Sequence, residues 1–305
     1  MDNLTHTLTG VALAQSGLSR ASRGASIALV LASNIPDVDM LFGLQGTASY
    51  LQHHRDLSHS VVGAPLLALG LALGFRLALR GSRFVGLLVA ALAGVAGHVL
   101  MDLWTSYGTR VLSPFDRTFY AWDLVFIVDP VFLAILAATI LIARRPALGT
   151  RAATVGLGLM LSYVGGRAVL HAQAQGEAVA RVPGGHVQRV AALPSPLDPF
   201  RWTVLADTGP DYWTGEVRLG DGVSPLTRRR KLAETATVTR VRAESEVATI
   251  FLAFSRFPWL EVEETTDGTA VTWRDLRFER PGRDSFVTRV VVGRDGRIRS
   301  QAFRF

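Results

Sequence analysis

Residues 84–97 carry no charged side chain, and the run leads directly to His98 and Asp102. Continued to residue 103, it supplies the roughly 20 apolar residues that a membrane-spanning helix needs. Positions four apart share a helix face, so this imidazole and carboxylate project together from one end of a hydrophobic rod. Ionisable groups at a membrane helix end are expensive and usually functional. More of them come earlier: His6, Asp37, Asp39, His53, His54 and His59. Five of the seven histidines lie within the first 102 residues, and only His171 and His186 lie beyond. The set points to a polynuclear metal site at a membrane surface. The competing reading of His98 and Asp102 is a pair that satisfies itself inside a helical bundle.

Segments 61–79, 84–103, 124–143 and 152–170 each have the length and apolarity of a span. Segments 4–18 and 24–35 are shorter, and fit tilted helices or a re-entrant pair buried against the bundle. Arg20 and Arg23, then Arg80 and Arg83, then Arg144, Arg145 and Arg151 occupy three connections. If every segment crosses, all three clusters fall on one side, which the positive-inside rule makes cytoplasmic. The opposite side receives the N-terminus, connections 34–60 and 104–123, and everything after residue 170. The candidate ligands gather on that side.

Beyond residue 171 the composition changes. Segments 187–193, 202–207, 212–219, 235–243, 269–278 and 285–292 are rich in Val, Thr and aromatics, with Asp-Gly turns at 221, 267 and 295. That predicts a mainly antiparallel β region, with one short helix at 247–254. The expected fold is therefore an α-helical integral membrane bundle, four clear spans plus two short N-terminal helices, over 1–172. A small β-rich extracytoplasmic domain follows over 173–305. The chain has no cysteine, so metal ligands must be His, carboxylate, Asn or backbone groups. A net charge of +7 is explained by membrane-flanking arginines, and no compact basic stripe with interleaved aromatics calls for nucleic acid.

Asn34-Ile35-Pro36-Asp37-Val38-Asp39 ends an apolar segment, and two carboxylates spaced this way can approach a metal from one turn or simply cap it. His53-His54-Arg55-Asp56-Leu57-Ser58-His59-Ser60 places three imidazoles within seven residues, hard to explain by packing. Ser58, Ser60 and Asp56 can orient such ligands, and either serine can instead cap the next helix. Arg55 can hold an anionic oxygen or pair with Asp56. His6 can join the cluster or be interfacial.

These motifs resemble a family of membrane-bound, metal-dependent hydrolases described in bacteria as LexA-regulated. The resemblance covers roughly residues 1–143. It rests on Thr5-His6, on Pro36-Asp37-Val38-Asp39, on His54-Arg55 with Ser58-His59-Ser60, and on Gly97-His98 with Asp102. Asp102-Leu103-Trp104-Thr105-Ser106-Tyr107-Gly108 and Ser113-Pro114-Phe115 also match, while Met40 stands where some members have histidine. The helix-borne His-x-x-x-Asp element is similar, more distantly, to zinc-dependent phospholipase C and P1-type nucleases. The resemblance implies a hydrolase with His6, Asp37, Asp39, His54, His59, His98 and Asp102 as metal ligands. Arg55 would bind the substrate anion, and His53 would be a reserve ligand or proton shuttle. Zn²⁺ suits mixed His and carboxylate donors, as do Mn²⁺ and Fe²⁺. A phospholipid or other phosphoester in the bilayer is the expected substrate class. An ion or solute transporter and a non-catalytic metal-stabilised scaffold are the rival readings. A transporter would favour charges through the membrane depth and an inverted repeat, and neither is evident.

Overall fold

Small residues set the spacing of the N-terminal helices. The structure, a computed structural model, describes residues 1–279 and 285–305. It divides into two compact units, the first comprising Met1–Asp39, Arg55–Gln173 and Leu193–Trp202, the second Met40–His54, Ala174–Ala192 and Thr203–Phe305.

In the first unit, α1 (Asn3–Gln15), α2 (Ala25–Ala32) and α5 (Phe84–Leu103) lie against one another. A Cβ on Gly94 of α5 would sit 2.7 Å from Ala32 Cβ and 2.8 Å from the Leu29 carbonyl oxygen. Only glycine permits that approach, as at tightly packed membrane helix interfaces. Ala28, Leu29, Ala32, Ala90 and Ala91 are buried at the same contact. α4 (Gly63–Ala78) packs along α5. Its first residue lies so close to the 3-10 turn Leu57–His59 that a Cβ there would fall 1.9 Å from the Leu57 carbonyl oxygen. The 3-10 stretch Ile35–Gln45 continues from α2 after a bend of 42°.

Length decides which helices can cross a bilayer. α5, with 20 residues, and α7 (Gly149–Arg181), with 33, are long and apolar enough. Two bent pairs bring the number to four if each is one span: α2 with Ile35–Gln45, and Thr47–His59 with α4, the latter bent by 70°. The segment expected to span at 124–143 is helical only as α6 (Pro130–Ala143), 14 residues. Asp129 caps it, accepting from the Phe132 N–H at 2.9 Å, and Pro130 at the first position has no N–H that needs a partner. The residues before it are held elsewhere, the Leu124 and Val125 N–H groups donating to the Trp104 carbonyl. α6 is then about 21 Å long, short of the roughly 30 Å hydrocarbon thickness.

In the second unit, β1 (Arg189–Pro194), β2 (Arg201–Asp207), β3 (Asp211–Arg218) and β4 (Gly222–Val223) adjoin in that order, and β5 (Thr227–Arg230) pairs with β3. A second sheet is an antiparallel meander of β6 (Pro258–Thr265), β7 (Gly268–Asp275), β8 (Val287–Gly293) and β9 (Ile298–Arg304). Gly268 opens β7 with φ +141°, and a Cβ there would meet the Val292 carbonyl oxygen at 1.9 Å. α9 (Glu246–Phe254) lies on β8 and β9, with Phe251 packed on Phe303. α3 (Thr47–His53) also joins this unit, Thr47 donating to the Phe303 carbonyl.

The short helix expected at 247–254 is α9. Residues 235–243, expected as a strand, instead form α8 (Ala236–Glu244). Thr235 caps it through the Val238 N–H, and the buried Val238 and Val241 stand three apart, a helical rather than an alternating spacing.

Candidate metal centre

Four side chains from three segments of the first unit aim at one point. Asp37 comes from the bent stretch after α2, His59 from the 3-10 turn before α4, and His98 and Asp102 from successive turns of α5. His59 Nε2 and His98 Nε2 are 3.0 Å apart. Asp37 Oδ1 lies 3.5 Å from each. Asp102 Oδ2 lies 3.3 Å from His59 Nε2 and 3.4 Å from His98 Nε2. Tetrahedral donors at zinc's bond lengths stand about 3.3 Å from one another, so these separations fit a shared cation. His59, His98 and Asp102 are wholly buried.

The far side of each ring fixes what faces inward. His98 Nδ1 is 2.8 Å from the Ser33 carbonyl oxygen, which can only accept, so Nδ1 carries the proton. His59 Nδ1 is 3.1 Å from Asp39 Oδ2 and 2.9 Å from Ser58 Oγ, and donates to them. Each Nδ1 is therefore committed outward, which turns each Nε2 inward. The two Nε2 atoms and two carboxylate oxygens then face one another at 3.0–3.5 Å, a spacing that a shared cation fits. Asp102 Oδ2 has no hydrogen-bond partner in the structure, as expected of an atom reserved for one.

The other expected site residues fall into distinct positions. Asp39 stands behind His59, its Oδ2 accepting also from Ser58 Oγ at 2.6 Å and from the Arg55 N–H at 2.9 Å. His6 is buried in the first turn of α1 and stacks on His98 with ring centroids 3.8 Å apart. Its Nε2 lies 3.3 Å from Asp102 Oδ1 without hydrogen-bond alignment, and neither ring nitrogen has a partner. Arg55 does not pair with Asp56. Its guanidinium lies 2.9 Å from Asp102 Oδ1, donates to Thr105 Oγ1 at 3.2 Å and rests over the Tyr107 ring. The Met1 amino group also contacts Asp102 Oδ1. Arg55 takes φ +60°, an uncommon left-handed conformation for a non-glycine residue, while its N–H serves Asp39 and its carbonyl accepts from Arg110.

His53 and His54 belong to the second unit. His53 stacks on Phe42, and the buried His54 stacks on Tyr50 at the end of α3. Asp56 is taken by Arg110 at 3.3 Å and Arg117 at 2.7 Å. In the same loop, hydrogen bonds from Tyr120 and Thr118 hold the Asp116 carboxyl below its usual pKa. The Ser33 carbonyl was not foreseen. A backbone acceptor leaves no trace in residue type, and only its place at the end of an apolar run before the Asp37 motif points to it.

Residues 1–174, more than half of the chain, match the YdjM inner membrane protein family. The chain belongs to that family. The YdjM match spans the apolar helices and all four inward-facing donors, so this half is a membrane protein region with a His/Asp cluster able to hold a metal. Residues 237–304 match the YfhP C-terminal alpha/beta plait domain, the stretch running from α8 to β9. Over 312 aligned residues the chain is 25% identical to the uncharacterized protein YfhP of Bacillus subtilis (strain 168), covering 98% of this chain and 94% of that one. No solved structure matches.

Proposed function

We propose that the chain is a membrane-bound, metal-dependent hydrolase acting on a phosphoester or lipid headgroup at the extracytoplasmic membrane face. The observation that carries this reading is the set of four inward side chains whose two imidazoles are held from behind at Nδ1, with each Nε2 facing two carboxylates. Asp37, His59, His98 and Asp102 would hold the ion, with zinc the first choice and manganese or iron compatible with the same donors. A divalent cation there supplies Lewis acidity and a means of activating water near neutral pH. Ser33, Ser58 and Asp39 keep the imidazoles in register. Arg55 holds Asp102 and has a buried Nε with no partner, which suits it to an anionic oxygen.

Four donors at tetrahedral spacing also fit a closed structural site, which favours the scaffold as the second reading. His6 weighs against it. A buried imidazole with two unpartnered nitrogens beside Asp102 Oδ1 exceeds what a four-coordinate structural ion requires. Metal stoichiometry of the purified protein, with an ester, amide and phosphoester panel in detergent or liposomes, separates the two. A metal-replete protein inactive across the panel would leave the scaffold. Activity confined to carboxylic esters or amides would retain the hydrolase and remove the phosphoester.

The sidedness rests on the arginine-bearing connections. Arg23 Nη1 donates to the Arg80 carbonyl, Arg83 Nη2 to the Ala21 carbonyl and Arg20 Nη2 to Thr150 Oγ1, so the three connections meet. His98 and Asp102 lie near the far end of α5 from Arg83, a helix about 30 Å long. The natural absence of cysteine makes single-cysteine labelling clean. Arg80→Cys and Arg144→Cys should label only after the membrane is opened, and Gly185→Cys and Phe200→Cys in intact cells. Labelling of Gly185→Cys only from the cytoplasm would overturn the placement.

A further inference from the structure

An apolar groove of about 340 Å³ runs between α4 and α5. Its walls include Ala64, Leu92, Val95, Ala96, Val99 and Val111, and also His59. The imidazole of His59 faces His98 across the candidate metal position. The groove thus adjoins the buried donor cluster through a shared residue. Val111 joins it to the loop that carries the positive charge. The Val61 N–H donates to the Val111 carbonyl, the preceding residue Arg110 pairs with Asp56, and Arg117, 58% exposed, shares that carboxylate.

We infer that this groove seats one hydrocarbon chain of an anionic membrane lipid and so delivers its headgroup to the donor cluster. The inference rests on the hydrolase reading for what happens to the headgroup, but not for the binding itself. A soluble phosphoester would have no use for an apolar groove that adjoins a polar centre at His59. A lipid needs both, and the chain belongs to an inner membrane protein family whose helices α4 and α5 would contact the bilayer. Arg117, whose side chain is 58% exposed, is the cation of this loop open to an anionic phosphate, in exchange for its contact with Asp56.

The binding is read by photo-crosslinking. Full-length protein in nanodiscs containing phosphatidylglycerol with a diazirine in its acyl chain is irradiated and mapped by mass spectrometry. Val95 and Val99, 2% and 9% exposed, should take label through the groove, alongside the bilayer-facing controls Leu77 and Val85, 86% and 70% exposed. Ala96→Phe, at an exposed position on the groove, should abolish label at Val95 and Val99 and leave it at Leu77 and Val85. Leu92→Trp is the second blocking variant, and unchanged metal content and control labelling show that each variant is folded. Absence of label at Val95 and Val99 in the unaltered protein, or label there that both variants leave intact, overturns the inference. Hydrolysis is scored separately. Blocking variants should lose turnover of phosphatidylglycerol but keep that of a short soluble phosphodiester, and equal loss of both also overturns it. Groove labelling in a metal-replete protein that hydrolyses neither substrate supports the lipid site and removes the hydrolase reading instead.

Discussion

If the proposed centre holds an ion, His98→Ala and Asp102→Asn should each bring the bound metal to near zero and abolish the proposed turnover. Each removes one of four inward donors. His98 Nδ1 is held by Ser33, and Asp102 Oδ1 by Arg55, so both side chains are fixed from behind. Loss of an outer partner at a metal site lowers affinity or activity by about 10–100-fold, and loss of a donor itself should exceed that. Inductively coupled plasma mass spectrometry on protein purified without chelator gives the stoichiometry, and the substrate panel gives turnover. Chelation of the unaltered protein should reproduce the loss, and added zinc should reverse it. Full metal content in both variants would show that the cluster is a hydrogen-bonded polar core.

Asp39→Asn separates a ligand from a residue that orients one. Asp39 Oδ2 accepts from His59 Nδ1, Ser58 and the Arg55 N–H within 3.1 Å, which commits that oxygen to holding the His59 ring. If that is its task, the variant still binds the same number of ions, with affinity lower by about 10–100-fold. If Asp39 is itself a donor, as the sequence motif implies, one ion per chain disappears. Competition titration with a chromophoric chelator reads affinity and stoichiometry together. Unchanged affinity and unchanged stoichiometry would defeat both assignments.

Helical spacing made part of this site legible. The i, i+4 relation of His98 and Asp102 is a local property of α5, and the structure places both at one point. Contacts that depend on chain folding were less accessible. Asp37 and Asp39 differ by two positions, yet one faces the cluster and the other lies behind His59, because the intervening backbone is a 3-10 turn. Arg55 was open between a substrate anion and Asp56, and its pairing with Asp102 depends on a left-handed backbone that residue type does not announce. His53 lies two positions before Arg55 in sequence but stacks on Phe42. In the fold, the β-branched composition of 235–243 outweighed its helical period. Strands β6 and β9 went unrecognised because each holds a run of consecutive exposed positions in place of a clean alternation: Val262 to Glu264 in one, Arg299 to Ala302 in the other. The start of α6 is written in Asp129-Pro130, an aspartate cap followed by a proline at the first helical position.

The four inward donors are spread from residue 37 to residue 102, and the last of them sits one residue before α5 ends. No shorter piece of the chain contains the set, and the tightest contacts between α2 and α5 must form before Ser33 can reach His98. An ion that binds only this assembled form acts as a thermodynamic ligand of the folded state, worth about 2.7 kcal/mol at a hundred times its dissociation constant. Resistance to unfolding in the membrane should therefore rise with the free concentration of the ion. Metal supply in the cell would then govern how long each copy survives, apart from any reaction it carries out.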